Sequence, residues 1–344
     1  MEQPLSKRYD PQHHGARCDI CPLRNGGELS EGEWAPVGPE LHPGAEVIAI
    51  AESPGLEEVA RGRPLIGRSG GEWNNALRAI AKKRPDIDLT HVILCKPPGQ
   101  PSGAWSRMEK KLDQLNRRRS KEGKEPLPHP ATCCRPRLLS RAANYKHIIS
   151  LGKTATQALT GMGASIHAAR GGPVWVDENW QRTSDESAHM VMPTLHPAFV
   201  LRAPNWRSVL HSDMAKGFRW FEGCLRWADP EVLWRPTPDQ LRQWLRQTAP
   251  FWAYDVETDG KDALTCGLRT IAIAIPDLDV NGRAARGDAA QVSRAVGISL
   301  LSADGTTRFY SPEDEQRIKD ILVEVMTDGR VWVGHNAGFF DRLV

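Results

Sequence analysis

The sequence predicts a three-layer α/β/α fold built on a parallel sheet for residues 18–222, with a second, shorter α/β domain over 251–344. Two observations carry this expectation. Short apolar runs at 47–50, 91–94, 147–151 and 191–194 alternate with segments of helical period, as in a parallel sheet covered on both faces. A connection over 224–236 then interrupts that pattern before a fresh apolar run opens at Phe251.

The elements follow in order. Residues 1–17 are polar and read as a loose lead-in. Val47–Ile50 is uniformly apolar, as a parallel strand buried on both faces must be. Gly71–Lys83 reads as a helix with Trp73, Leu77 and Ile80 on one face. His91–Leu94 is read as the second strand. Between Cys95 and Cys134 lie 38 residues; within them, 107–124 carries eight Lys or Arg against three acids. Met108, Leu112 and Leu115 have helical spacing there, so the stretch reads as a basic surface helix, with Arg117, Arg118 and Arg119 as candidate phosphate contacts. Leu138–Ala143 continues a further helix, His147–Leu151 is the third strand and Val191–Thr194 the fourth. Residues 223–250 read as a linker and a helix. Thr237, Pro238 and Gln240 supply that helix with an N-cap, a first-turn proline and a capping-box partner.

A chain of 344 residues suits about two domains. Lys plus Arg total 45 against 42 acids, a net charge of +3, so any nucleic-acid footprint must be local. Seven cysteines and no hydrophobic leader argue against a secreted disulfide framework. No apolar run approaches the ~20 residues that span a bilayer. A soluble protein of the cytoplasm, in a bacterial or phage-infected cell, is expected.

Three groups of residues carry chemistry. Ala51-Glu52-Ser53-Pro54-Gly55 turns at the carboxyl end of the first strand, where open α/β sheets place their ligand crevice. His196 ends the last apolar run of the first domain. Cys18 and Cys21 form a C-x-x-C pair that, with Cys95 and Cys134, offers four thiolates suited to zinc or to an iron–sulfur cluster.

Glu52 to Gly55, the Gly62-Arg63-Pro64-Leu65-Ile66-Gly67 segment and His196-Pro197-Ala198 together resemble the four-cysteine, iron–sulfur uracil-DNA glycosylases, over roughly residues 15 to 222. The resemblance implies hydrolysis of the bond between a flipped base and its sugar. It implies that His196 stabilises the leaving uracil and Glu52 orients the water, with Ser53 beside it. Gly55 would let the backbone approach the nucleotide, and Arg63 and Arg202 would contact DNA. It further implies a 4Fe–4S cluster on Cys18, Cys21, Cys95 and Cys134; the Arg-Pro-x-Leu context selects Cys134 over Cys133. Two positions depart from the family pattern. Leu65 stands where a Phe stacks on uracil, and His91 where an Asn reads its edge. These departures raise the alternative of a non-cleaving, base-sensing or DNA-docking module.

The second domain carries Asp255-Val256-Glu257-Thr258, two carboxylates on one face of a strand, and His335-Asn336 with Asp341 further on. It resembles the start of the ribonuclease H-like 3′–5′ exonuclease domain of family A DNA polymerases. That resemblance implies Mg or Mn on Asp255, Glu257 and Asp341. With the family's last metal-binding motif missing before Val344, an incomplete exonuclease is expected, with a polymerase domain in cis or in trans.

Overall fold

Alternate residues of one short strand feed two different hydrophobic layers in the N-terminal half of this protein. The computed structural model describes residues 9–31, 35–99, 103–224, 231–260, 266–276 and 292–334. The chain divides into two compact units, Met1–Gly223 and Cys224–Val344.

The sheet of the first unit comprises β1 (Val47–Ala51), β2 (Ile87–His91), β3 (His147–Leu151), β4 (Val174–Val176), β5 (Arg182–Thr183) and β6 (His189–Thr194), in the order β2-β1-β3-β6-β4-β5. β2, β1, β3 and β6 run parallel; β4 and β5, three and two residues long, extend the β6 edge antiparallel and are too short to be seen in the sequence. The helices are α1 (Leu56–Arg61), α2 (Gly67–Ala79), α3 (Ala104–Lys121), α4 (Pro130–Ala142), α5 (Lys153–Thr160), α6 (Ile166–Ala169), α7 (Pro197–Arg202) and α8 (Arg207–Phe221). Ile48 and Ile50 of β1 join a layer with Met108 and Leu112 of α3, Leu138 of α4 and Leu159 of α5. Val47, Ala49 and Ala51 join the opposite layer with Trp73 and Leu77 of α2, Val200 of α7 and Met214 of α8. The unit is therefore a mixed α/β structure with helices on both faces of a largely parallel sheet.

Two boundaries differ from the sequence reading. The second strand is 87–91, not 91–94. Asp88 and Thr90 break the apolar pattern, yet both are buried. Asp88 is satisfied by the Tyr145 hydroxyl and by the His42 amide at 2.7 Å. Val92–Leu94 continues from the strand, fully buried, with the Val92 and Ile93 amides on the carbonyls of Ala51 and Glu52. The helix placed at 71–83 spans Gly67–Ala79, with Ile80 as its C-cap, and Gly70 packs in its first turns so closely that a Cβ would lie 2.1 Å from the Leu65 carbonyl oxygen.

Arg137 of α4 locks β2 to this frame. Only 2% exposed, it donates to Thr90 Oγ1 (3.0 Å) and to the carbonyls of His91 (2.7 Å) and Val92 (2.9 Å). Arg137→Leu strips three buried acceptors of their donor and is expected to destabilise the first unit by about 3 kcal/mol or more, read from urea unfolding.

The second unit contains β7 (Glu231–Trp234), α9 (Pro238–Trp244), β8 (Trp252–Thr258), β9 (Leu268–Pro276), β10 (Val292–Ser299), α10 (Pro312–Met326) and β11 (Trp332–Gly334). Its sheet order is β11-β8-β9-β10-β7. β8, β9 and β10 form an antiparallel meander, and β11 returns parallel to β8. The stretch read as linker thus contributes an edge strand, β7, parallel to β10. The capping box at Thr237 forms as expected, with Gln240 N on Thr237 Oγ1 and Thr237 N on Gln240 Oε1. Leu241, Ile318, Ile321 and Leu322 of the two helices cover Ile271, Ile273 and Ile298 of the sheet. Among the described residues, no helix is long and apolar enough to cross a membrane.

Candidate active site

The carboxyl ends of β1, β2, β3 and β6 open into one cleft of ≈ 1030 Å³, whose walls include Glu52, Ser53, Gly55, Leu65, His91, His196 and Arg202. Six residues taken from the sequence as catalytic or base-contacting, and Arg202 as a DNA contact, are therefore brought together.

Glu52 leaves the end of β1, and its Oε2 accepts the Thr154 hydroxyl proton at 2.6 Å. Burial raises its carboxyl above the ordinary value of 4.5; the Thr154 hydrogen bond opposes the shift and the charge of Glu109 reinforces it. Glu109 comes from α3, so the basic insertion presents an acid and Trp105 to the cleft, with Trp105 Nε1 donating to Glu109 at 2.9 Å.

His196 is the N-cap of α7. Its Nδ1 accepts the Ala198 amide at 3.1 Å, which leaves the proton of a neutral ring on Nε2. Burial pushes its pKa down to about 4. The ring therefore stays neutral at physiological pH and remains a hydrogen-bond donor. Two features hold it there. Gly152, at φ +87, passes so near that a Cβ would meet the His196 Cβ at 3.2 Å. Two residues upstream, Thr194 donates to the buried Asp213 (2.9 Å), which also takes both arms of Arg170 at 2.7–2.8 Å.

Glu58, Thr154 and Asp213 were not singled out by sequence reasoning. Glu58 had a signal: it follows Gly55 by three residues at a helix start, the capping-box position, and it accepts the Gly55 amide at 2.6 Å. It also accepts the Leu65 amide at 2.6 Å and faces His91 Nε2 at 3.2 Å. Burial works to raise Glu58, but His91 and the two amides outweigh it and hold the carboxyl below its usual range. Leu65 is buried at φ +45, and Arg84 donates to its carbonyl at 2.8 Å.

The other DNA candidates lie elsewhere. Arg63 is bound to Glu40 at 3.0 Å, Arg118 to Glu122 at 3.0 Å, and Arg119 to the Glu125 carbonyl and to Glu28. Arg117 is exposed on α3. The cations on the cleft wall, besides Arg202, are Lys96, Arg135 and Lys153. Val200 is fully buried in the core, while Phe199 remains half-buried on the cleft.

The cysteines gather in one layer. Cys21, Cys133 and Cys134 are buried in the α3–α4 core, with Cys18 and Cys95 packed against it. Burial pushes Cys18 up to about 12, with the neighbouring Cys134 and Cys21 adding to the shift. Cys21 is lowered, chiefly by a hydrogen bond from Cys133. Burial raises Cys134, opposed by Arg137 and by the Leu94 amide, one residue before Cys95. Crowded, buried thiols of this kind ionise together only beside a positive centre, so the donor set suits a thiolate-bound metal group. Among the described residues, no three His, Cys, Asp or Glu side chains are grouped to grip a single ion.

In the second unit, Asp255 and Glu257 are exposed on the same face of β8. Glu257 also lines a cavity of ≈ 550 Å³ with Arg235, Arg269 and Phe309. His335, Asn336 and Asp341 lie outside the described residues.

Comparison with known proteins places the first unit in a family. The family model of the uracil DNA glycosylase superfamily matches residues 39–226. Relatives include the type-4 uracil-DNA glycosylase of Pyrobaculum aerophilum, 28% identical over 218 residues, covering 62% of this chain and 93% of that protein. That of Thermotoga maritima is 27% identical over 192 residues, covering 54% and 79%, and that of Sulfurisphaera tokodaii 28% over 185 residues, covering 52% and 70%. With more than half of its residues inside the family match, the chain belongs to the uracil-DNA glycosylase superfamily.

Proposed function

We propose that the first unit is a type-4-like DNA glycosylase that hydrolyses the base–sugar bond of a flipped uracil. The observation that carries this reading is the convergence of Glu52 and a neutral, Nε2-protonated His196 on one cleft. As the bond to C1′ breaks, the sugar gains positive character and the base leaves with negative charge on a carbonyl oxygen. His196 donates Nε2–H to that oxygen; a neutral imidazole serves here because its pKa lies far below the working pH. Glu52, fixed by Thr154, aligns the attacking water and Ser53 stands beside it.

The pH–rate profile of base release tests this assignment. Glu52 must be ionised, and its raised value places the acid limb above pH 4.5, whereas His196 stays neutral down to about 4. Activity is expected to fall as pH drops through the Glu52 value. Glu52→Gln should lower the rate by about 100-fold and remove that limb. A limb that persists unchanged in Glu52→Gln would assign it to another group.

DNA would lie along the rim cations. Arg135→Ala with Lys153→Ala is expected to weaken binding of a uracil-containing oligonucleotide and to lower its salt dependence by about two counterions, more than Arg117→Ala with Arg118→Ala does. Equal effects from the two pairs would move the track onto α3.

Cys18, Cys21, Cys95 and Cys134 would hold a 4Fe–4S cluster as its four thiolate ligands. Its role would be structural, tying the N-terminal segment to α4. For the second unit, the β8–β9–β10 meander with β11 parallel to β8 supports the reading of a 3′–5′ exonuclease-like domain, with Asp255, Glu257 and Asp341 as Mg or Mn ligands and a polymerase as partner. Leu65 and His91 favour a second reading, a base-sensing module that binds without cleaving.

A further inference from the structure

Glu58 determines what the cleft offers to a base. Its carboxylate meets three nitrogens: the Gly55 and Leu65 amides, each at 2.6 Å, and His91 Nε2 at 3.2 Å. The two amides can only donate, so both carboxylate oxygens act as acceptors, and the His91 nitrogen facing Oε1 must bring the proton. In the neutral ring Nδ1 then keeps its lone pair. That Nδ1 is buried and has no partner among the described residues, on a side chain 1% exposed at the wall of the cleft. The carbonyls of His91 and Val92, which follow the ring in the chain, are held by Arg137. The second imidazole, His196, has the opposite arrangement: Nδ1 is taken by the Ala198 amide, and Nε2–H is the donor.

The geometry points to Glu58 as the positioning residue for base selection: by holding the His91 proton on Nε2, it makes Nδ1 an acceptor for a ring N–H, and with the His196 donor it selects bases carrying a lactam N–H beside a carbonyl. This deepens the glycosylase reading and rests on it for the reaction, though not for base binding. Uracil, hypoxanthine and xanthine present such an edge. Thymine and guanine share it, so the two imidazoles do not exclude them. Cytosine and adenine would turn a ring lone pair toward the His91 lone pair and are rejected. A carboxamide at position 91 would supply its donor and acceptor side by side; an imidazole needs Glu58 to decide which nitrogen is which.

The test is long-range ¹H–¹⁵N correlation spectroscopy of the His91 ring in the full chain, with 1-methyluracil, 1,3-dimethyluracil and 1-methylcytosine as probes. The spectrum should show the Nε2–H tautomer. 1-Methyluracil should shift the Nδ1 signal, and 1,3-dimethyluracil and 1-methylcytosine should bind at least about tenfold more weakly. Glu58→Gln should move His91 off the single tautomer; should that variant fail to fold, the wild-type spectra decide alone. An Nδ1–H tautomer, or an equal response to 1,3-dimethyluracil, would overturn the inference. Expected spectra without base release from DNA would sink the glycosylase reading and support the selection rule. Base release with an Nδ1–H tautomer would do the reverse.

Discussion

His196→Ala is expected to lower base release from uracil-containing DNA by about 100- to 1000-fold, with DNA binding nearly unchanged. The magnitude is that of removing one preorganised donor from a developing oxyanion. The donor is preorganised because Nδ1 is committed to the Ala198 amide, which fixes the orientation of the ring. The same substitution removes an N-cap acceptor from α7, at a cost of about 1 kcal/mol, too little to unfold the unit. Single-turnover kinetics beside a binding measurement separates the two effects. A variant that binds DNA normally and releases base at the wild-type rate would remove His196 from the chemistry.

The largest stability effect is expected at the cysteines. Cys18→Ser or Cys134→Ser should abolish iron and sulfide content and lower the thermal midpoint by about 10 °C, the loss of a structural metal group being among the few single changes worth 4 kcal/mol or more. The reason lies in the fold: among the described residues Cys18 and Cys21 sit on a segment without strands, joined to α4 through the Arg17 amide on the Cys133 carbonyl and through the sulfur-lined core between them. Cys133→Ser should keep the iron, although its thiol lies against Cys21. Iron retained in Cys134→Ser and lost in Cys133→Ser would exchange the two assignments.

Much of this architecture is legible in the sequence because buried parallel strands read as uninterrupted apolar runs. That rule locates β1, β3 and β6, and fails at β2, where Asp88 and Thr90 are buried with side-chain partners that no local pattern discloses. The proposed catalytic pair can be picked out in the sequence because Glu52 and His196 each close an apolar run. Glu58 was less so: its contacts to Leu65 and His91 span 7 and 33 residues, and only its capping position is local. The insertion reads as basic by composition, yet Arg118 and Arg119 pair with Glu122 and Glu28, and α3 turns Trp105 and Glu109 to the cleft, contacts that composition does not disclose. In the second unit, the edge strand β7 was not legible, because its Val232 and Trp234 stay exposed and resemble a linker.

The most direct measurement is chromatographic quantification of free uracil from single- and double-stranded uracil-containing oligonucleotides incubated with the full chain in EDTA. The account predicts free uracil in equal yield with alkali-labile sites, in a backbone otherwise intact, from wild type and not from His196→Ala. Bound but unaltered oligonucleotide would contradict it and leave the cleft as a reader of bases.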